Sequence, residues 1–273
     1  MGLLGARLYV AFDASAVTGA IVQRGLQGRS LRAFAHAALP AGALDPSGTT
    51  PNLVRPEEVR DSVRRVLAEV DHAGVAGTLV LPHGVARIAL LEPPVGVDER
   101  DFVRFRLAPS LPWPSGEAIF DSLPTGNGRV VGAAVRRTVV AEYEQAAAMA
   151  GVAVEGVNLD PLLALAGLRR DAPEARAHLM LGDVAFCLAA FREGALVALR
   201  HRRRDRSEGE SGRLLAEAER TMGDGPLGRV RLAVSGPGAA ALRRELGEVE
   251  RGSDGAWEWP EAAEASWLSG VLA

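Results

Sequence analysis

Lysine is absent from this sequence, so all 31 of its lysine-plus-arginine residues are arginines. That absence excludes a Walker A phosphate-binding lysine and a pyridoxal-phosphate Schiff base, because both depend on a lysine amine. The formal net charge of −3 over 273 residues is close to neutral, which excludes a chain that binds nucleic acid through a general positive charge. A chain of this length forms one large domain or two domains of ordinary size.

Cysteine is represented by Cys187 alone, which excludes a disulfide within the chain and a cysteine-rich zinc site. Its neighbours in VAFCLAAF are apolar, and this pattern predicts a buried strand thiol rather than a reactive one. Long hydrophobic runs are also missing. Arg7 and Asp13 interrupt the N-terminal apolar stretch, and no stretch reaches the about 18 to 20 apolar residues that span a bilayer. We therefore expect a cytoplasmic protein.

The first part of the chain predicts a β-hairpin, a third strand, a helix and a fourth strand between residues 7 and 81. The hairpin strands are RLYVAFD and TGAIVQRG, and the small residues between them suit a tight turn. The helix, residues 55–70, has Pro56 in its first turn and an apolar stripe at helical spacing. A similar order of strand meander, helix, strand and helix returns between residues 178 and 246. The chain therefore contains two halves built on one plan.

The segment between the halves has a different pattern. It predicts strand, helix, strand, strand, helix and strand, with Asp98 as the N-cap of its first helix and Gly151 closing its second. We interpret residues 83–158 as a small α+β module, inserted between a first half of residues 1–82 and a second half of residues 159–273.

This duplication resembles the actin-like ATPases, an α/β fold made of two ribonuclease-H-like halves. The module stands where the cell-division protein FtsA and the pilus-assembly protein PilM carry an extra subdomain. Its residues are similar to PilM in order and spacing: TLVLPHGVARIALLEPP is followed by VDERDFVRFRLAPS, LPWPSGEAIFD and VVGAAVRRTVVAEYEQAAAMAGVAVEGVNLDPLLAL. The likeness covers nearly the whole chain and is strongest between residues 78 and 165. The chain resembles a PilM-type protein, related also to the cytoplasmic actin-like part of GspL in type II secretion.

The resemblance implies a nucleotide cleft between the halves, formed by three short motifs. The matching positions are Asp13 and Ser15 in the first hairpin turn, Gly182 and Asp183 in the second, and Ser235, Gly236 and Gly238 before a late helix. Backbone N–H groups in such small-residue turns cradle phosphate, and in this family the third motif approaches the adenosine. These residues are the candidate cofactor-binding site, for ATP with Mg²⁺.

All three motifs depart from the family pattern. Ala14 replaces a glycine, and Met180 occupies the position of an aspartate. Asp183 is displaced by three residues and on a strand would face a different direction. Pro237, which has no N–H donor, separates the two late glycines. Three interpretations stay open, which are a working ATPase, nucleotide binding without turnover, and a cleft kept for architecture only; we favour the last, with no bound cofactor and Asp13 as a turn residue.

The resemblance further implies a non-catalytic assembly component of a type IV pilus or type II secretion machine at the inner membrane. Such a protein docks onto the cytoplasmic tail of a PilN-like membrane partner, which is its only link to the membrane, and it self-associates. The candidate docking residues are Phe102, Phe105, Leu111 and Trp113, through strand addition or an apolar groove. For Trp113, packing between subdomains is the alternative. The alternative function is an ATPase or sugar-kinase-like phosphotransferase on the same fold.

Three further features have weaker interpretations. Arg200–Arg206 is the strongest charge run, and we favour a solvated hairpin end, neutralised by acidic residues after it, over a contact with lipid phosphates or an acidic partner. The five histidines lack metal-ligand spacing and are interpreted as surface or turn residues, so no metal site is predicted. Trp257 and Trp259 share one face of a short predicted strand, which favours core packing over a ligand platform.

Overall fold

The structure is a computed structural model of the whole chain. It describes residues 5–25, 28–72, 74–125, 127–168, 176–205, 207, 209–222, 231–246, 257–258 and 266–272. The strands are β1 (Ala6–Phe12), β2 (Ala16–Gly25), β3 (Gly28–Ala38), β4 (Gly77–Leu81), β5 (Ala86–Leu91), β6 (Ala118–Pro124), β7 (Val130–Arg136), β8 (Val154–Leu159), β9 (Arg176–Leu181), β10 (Ala185–Arg192), β11 (Ala195–Arg203), β12 (Arg231–Ser235) and β13 (Trp257–Glu258). The helices are α1 (Pro56–Val70), α2 (Glu99–Leu107), α3 (Arg137–Met149), α4 (Asp160–Gly167), α5 (Glu210–Met222), α6 (Ala239–Leu246) and α7 (Ser266–Leu272).

Two five-stranded sheets repeat one topology. The first has the order β3-β2-β1-β4-β8 and the second the order β11-β10-β9-β12-β13. In each sheet the first three strands in the chain form an antiparallel meander. The first strand of the meander also pairs in parallel with a fourth strand, and the fourth pairs in parallel with a fifth. The predicted duplication is therefore confirmed, strand by strand.

Helix α1 covers one face of the first sheet. Pro56 occupies its first turn, where a missing N–H costs nothing, and Glu57 and Glu58 favour the positive end of the helix dipole. Its buried stripe includes Val63 and Val66, which pack into the largest core with the first sheet. On the opposite face, α7 packs against β1 and β2 and forms a smaller apolar cluster.

The inserted module is a three-stranded antiparallel sheet, β5-β7-β6, with α2 packed on it. Asp98 caps α2 as predicted, because its Oδ1 accepts the N–H of Asp101 at 2.9 Å. Two elements of the predicted module lie elsewhere: α3 packs with α1 in the main core, and β8 pairs in parallel with β4 and so completes the first sheet. The sequence pattern placed β8 in the module because the residues of a strand do not by themselves specify which strand it pairs with. We propose that the inserted module comprises residues 86–136.

A buried polar network orders the long loop before α1. Asn52 is fully buried, and its side chain donates to the carbonyls of Ser47 and Thr50, both at 2.8 Å. Its Oδ1 accepts the hydroxyl of Tyr143, on α3, at 3.0 Å. The loop is therefore attached to α3, the helix that follows the module. Its Pro/Gly/Ser/Thr composition alone predicts only an irregular segment.

Tyr143→Phe tests that attachment. We expect the free energy of unfolding to fall by about 1 kcal/mol, since one buried hydrogen bond is lost while the edge-on contact with Phe12 remains. Urea denaturation measures the change. Tyr9→Phe is the matched control, because the Tyr9 hydroxyl makes no hydrogen bond to any described residue. An equal cost in both variants would show that the network contributes nothing.

Candidate functional site

The turns of the two duplicated hairpins meet between the halves. Residues 13–15 connect β1 to β2, and residues 182–184 connect β9 to β10. The backbone N–H of Ser15 donates to Oδ2 of Asp183 at 3.1 Å, which joins the first half to the second. The prediction that Asp183 faces a different direction is wrong, because this residue lies in the turn after β9 and not on the strand. The Gly182 N–H closes that turn by donating to the Ala185 carbonyl at 3.0 Å.

Asp13 serves its own turn and also faces two other carboxyl groups. Its Oδ1 accepts the N–H of Ala14 at 2.8 Å, and its backbone N–H donates to the carbonyl of Ala16 at 2.9 Å. Burial raises the pKa of Asp13 well above its ordinary value, and Asp183 and then Asp160 raise it further, against the opposing hydrogen bond from Ala14. Charge of one sign is therefore concentrated at the point where the two turns meet.

Asp160 is a cleft residue that the motif comparison missed. It is the first residue of α4, directly after β8, and it is nearly buried. Its Oδ2 lies 3.5 Å from Nε2 of His83, a residue of the short turn after β4. The signal in the sequence was positional: an aspartate at the carboxyl end of a parallel strand lies at the edge of the sheet where ligands bind in α/β folds.

The residue at the aspartate position of the second motif, Met180, is uncharged. Met180 is fully buried and packs in the main core, close in the fold to Cys187 on the neighbouring strand. Strand β9 pairs with β10 on one side and with β12 on the other, so it cannot rotate to place a different side chain, such as a carboxylate, at this position.

The third motif, at the start of α6, packs directly against the end of β9. Gly236 has a φ of +95°, and a Cβ built on it lies 2.4 Å from the carbonyl oxygen of Leu181. The Gly238 N–H donates to that same carbonyl at 3.1 Å. The Ser235 hydroxyl is engaged inside the sheet, where it hydrogen-bonds Nε2 of His178 at 2.8 Å. Burial lowers the pKa of His178 to about 4, so this partner is neutral.

An arginine lies over Gly238. A Cβ built on Gly238 lies 2.5 Å from Nη1 of Arg204, whose guanidinium also donates to the Gly182 carbonyl at 2.9 Å. The same guanidinium holds Glu210 through two hydrogen bonds of 2.9 and 2.8 Å, and both side chains are mostly buried. A bidentate pair of this kind is among the stronger polar contacts in proteins. It lies against Gly238, in the third of the motifs that the sequence resemblance marks.

A cavity of about 370 Å³ opens beside the two turns. Its polar wall includes Asp13, Ser15 and Asp160, Pro237 lies at its rim, and Trp267 closes its apolar side. No arginine lines it. In the described part of the chain, no group of three or more His, Cys, Asp or Glu side chains is placed to hold a metal ion.

Comparison with solved structures identifies this arrangement. The chain superimposes on the structure of a PilM–PilN type IV pilus biogenesis complex with a TM-score of 0.67 and 18% identity, over 96% of this chain and 89% of that one. A Bacteroides thetaiotaomicron protein described as having an actin-like ATPase fold gives a TM-score of 0.66 and 10% identity, over 98% and 95%. The chain has the actin-like ATPase fold. A third similar structure is the cytoplasmic domain of EpsL, an inner membrane component of the type II secretion system of Vibrio cholerae, with a TM-score of 0.59 and 12% identity, over 98% and 94%.

The predicted resemblance to PilM and to the GspL type of protein is thus confirmed at the level of the fold. No protein-family model and no curated protein matches the sequence. At these identities the likeness concerns the fold, which many functions share. What the protein does has to be argued from its own residues.

The residues of this actin-like cleft do not fit Mg-ATP. The carboxyls of Asp13, Asp160 and Asp183 could face only the Mg²⁺ of such a ligand, so donors to its phosphates have to come from elsewhere in the cleft. Pro237 supplies no N–H donor, and the guanidinium of Arg204, held by Glu210, lies against Gly238.

The four predicted docking residues differ in exposure: one is exposed and three are partly buried. Phe105, on α2, is 73% exposed, whereas Phe102 and Leu111 are half-buried against the core of the module. Trp113 packs against Gly48 in the loop of the first half, since a Cβ built on Gly48 lies 2.9 Å from its ring. The alternative of packing between subdomains is therefore what the structure shows for Trp113.

The basic run after β10 is mostly paired within the chain. Arg200 and Arg202 lie 3.5 and 3.8 Å from Oε1 of Glu217 on α5, and Arg204 holds Glu210 as described. Arg206 lies outside the described residues. The favoured interpretation, a hairpin end neutralised by acidic residues, agrees with these contacts.

The burial of the cysteine was predicted correctly, whereas the burial of some histidines was not. Cys187 is fully buried on β10, as predicted, and burial raises the pKa of its thiol. The interpretation of the histidines as surface or turn residues is wrong for His178, which is buried on β9; His83 does lie in a turn, but it is buried there. On β11, burial lowers the pKa of His201 to about 3. Trp257 forms β13, and Trp259 lies outside the described residues. None of the helices in the described ranges has the length and apolar character to cross a membrane.

Proposed function

We propose that this protein is a non-catalytic assembly component of a type IV pilus or type II secretion machine, acting in the cytoplasm at the inner membrane. The observation that carries the proposal is the cleft: Arg204, held by Glu210, lies against Gly238, and Pro237 supplies no N–H donor to the same motif. A cleft of this kind joins the two halves instead of holding a phosphate chain. Two similar structures, a PilM–PilN type IV pilus biogenesis complex and the cytoplasmic domain of EpsL from a type II secretion system, support the choice of machine.

An assembly component needs a docking surface, and the module offers one. Among the described strands β6 pairs with β7 alone, so its outer edge is open. A groove of about 300 Å³ runs between this edge and α2, and its walls include Arg100, Arg104 and Arg137. Asp101 also lines the groove, so its charge is mixed with an excess of arginine. Phe105 follows Arg104 on α2 and is exposed, although it does not line the groove itself. This docking groove therefore combines free backbone groups and net positive charge, with an exposed aromatic ring on the same helix.

The groove fits an extended tail that carries acidic and apolar residues. One outward carbonyl of β6, that of Phe120, is at present bound by Nε of Arg100 at 3.3 Å. A partner strand laid along β6 supplies N–H groups to such carbonyls, and its carboxylates meet the arginines. We propose that the cytoplasmic tail of a PilN-like membrane protein binds here as a fourth strand, and that this partner links the chain to the membrane.

Calorimetric titration of a synthetic tail peptide from the PilN-like protein of the same cell tests this proposal. We expect binding in the micromolar range, weakened about tenfold by Phe105→Ala, because an exposed aromatic anchor loses its contact with the peptide. Val95→Ala is the matched control, since Val95 is also exposed but lies before α2 rather than on it. Peptides N-methylated on alternate residues test the strand geometry, because only one of the two registers should abolish binding.

The second candidate function, an ATPase, is favoured by one observation, the convergence of Asp13, Asp160 and Asp183. Titration of Mg-ATP, followed by a phosphate-release assay, separates the two functions. We expect no heat of binding and no release. Tight Mg-ATP binding with release that Asp160→Asn abolishes would overturn the non-catalytic proposal.

A further inference from the structure

Three arginines share one face of the first sheet at the end away from the cleft. Arg24 on β2 and Arg29 on β3 are direct cross-strand partners. Arg7 on β1 pairs with Val22, two residues before Arg24. Side chains at paired positions, and at positions two apart, lie on the same face of a sheet. The three guanidinium groups therefore lie close together on one face of the first sheet.

This arrangement is costly unless something compensates it. Like charges directly opposite each other in a sheet are destabilising. All three arginines are exposed, and within the described ranges none forms an ion pair with a carboxylate. The only hydrogen bond among their side chains there runs from Nη1 of Arg29 to the Val271 carbonyl at 3.1 Å. The arginines of α1 behave differently: Arg64, for example, pairs with Asp61 at 2.7 Å.

A cavity of about 320 Å³ lies among these side chains. The three guanidinium groups form its charged wall, and Tyr9 and Val22 form its floor. Among the residues that the structure describes, none that lines this cavity is acidic. A carboxylate has two oxygens, which satisfy one planar guanidinium fork, whereas a phosphate group offers three or four oxygens and up to two charges. The number of donors and the charge both favour phosphate.

We propose that the cavity of Arg7, Arg24 and Arg29 binds a phosphate group, either a free phosphate or phosphomonoester or the phosphodiester of a lipid headgroup. The site is separate from the cleft. Asp13 follows the carboxyl end of β1 and Arg7 lies near its start, so six residues of extended chain, roughly 20 Å, separate them. It is also separate from the docking groove of the module and does not depend on the proposed assembly function.

Titration calorimetry with inorganic phosphate and with glycerol 3-phosphate is the first arm of the test. Sedimentation with vesicles of phosphatidylcholine, with and without phosphatidylglycerol, is the second. We expect binding in at least one arm, weakened by added salt and reduced at least about tenfold by Arg24→Gln, because a charge-assisted hydrogen bond is lost. Binding in the first arm identifies a soluble phosphate, and binding to the phosphatidylglycerol vesicles alone identifies a headgroup.

Arg32→Gln is the matched control, because Arg32 is exposed on the same strand as Arg29 and does not line the cavity. This variant should bind as the wild type does. In the absence of phosphate, Arg24→Gln should unfold at the same temperature as the wild type or at a higher one, since it removes like-charge repulsion; a loss of binding is then not a loss of folding. No binding in either arm, or equal loss in Arg24→Gln and Arg32→Gln, overturns the proposal.

Discussion

Gly236→Ala is expected to lower the free energy of unfolding by about 3 kcal/mol or more, as measured by urea denaturation. Two effects add at this position. A residue with a side chain is strained at a φ of +95°, at about 1–2 kcal/mol. The new Cβ also lies 2.4 Å from the Leu181 carbonyl oxygen, so the backbone of β9 or of the α6 turn has to move. A forced shift of a packed backbone costs about 1–3 kcal/mol more.

Gly42→Ala separates the two effects. Gly42 has a φ of +75°, but no atom lies within 4 Å of a Cβ built on it. This variant should therefore show only the conformational cost of about 1–2 kcal/mol. If both variants lose the same free energy, the contact between Gly236 and Leu181 is not a tight one, and the account of the third motif given above is wrong.

Asp13→Asn is expected to stabilise the protein at pH 7, because the pKa of Asp13 is higher in the folded state than in the unfolded chain. Burial, and then the charge of Asp183, raises the pKa of Asp13 in the folded state. The folded protein therefore binds a proton more tightly than the unfolded chain, whose aspartate has a pKa of about 3.9. Stability falls as the pH rises from about 4 towards the folded-state pKa. Asparagine has no proton to lose, and its side-chain oxygen still accepts the N–H of Ala14.

The pH dependence distinguishes this effect from a simple change in packing. The difference between Asp13→Asn and the wild type should disappear near pH 4 and grow towards pH 7 in urea denaturation series. Asp121→Asn is the control, since Asp121 is an exposed residue on β6 and its substitution should change the free energy by less than about 0.5 kcal/mol at either pH. A stabilisation of Asp13→Asn that is the same at pH 4 and pH 7 would contradict the electrostatic explanation.

The order of the strands and helices was predictable from the sequence, because each strong element carries its own periodic pattern and its own ends. The α1 stripe, the Asp98 cap and Gly151 are local signals, and the structure contains all three. Strand pairing is not local. The position of β8 beside β4 depends on residues some seventy positions apart, and the residues of β8 alone do not specify it.

The cleft was predicted only in part, for a related reason. Asp13 and Ser15 lie in the predicted turn, but the direction of Asp183 depends on where β9 ends, and a difference of one or two residues moves a side chain from the strand to the turn. Arg204 and Glu210 had no motif to mark them, since their pairing over Gly238 arises from tertiary contacts. The Arg7, Arg24 and Arg29 cluster is invisible in the sequence because it exists only through the register of three strands.

The chain enters and leaves the inserted module at adjacent positions. Ala86, where the chain enters its sheet, is the direct partner of Val135, one residue before the sheet ends. The entry and exit of the inserted segment therefore lie side by side, and a short link could connect Val85 to Arg137 without changing the register of any strand in the first sheet. Insertions and exchanges of whole units succeed where the two ends are adjacent. Evolution can thus replace the inserted module of such a protein while the duplicated scaffold and its cleft are inherited unchanged.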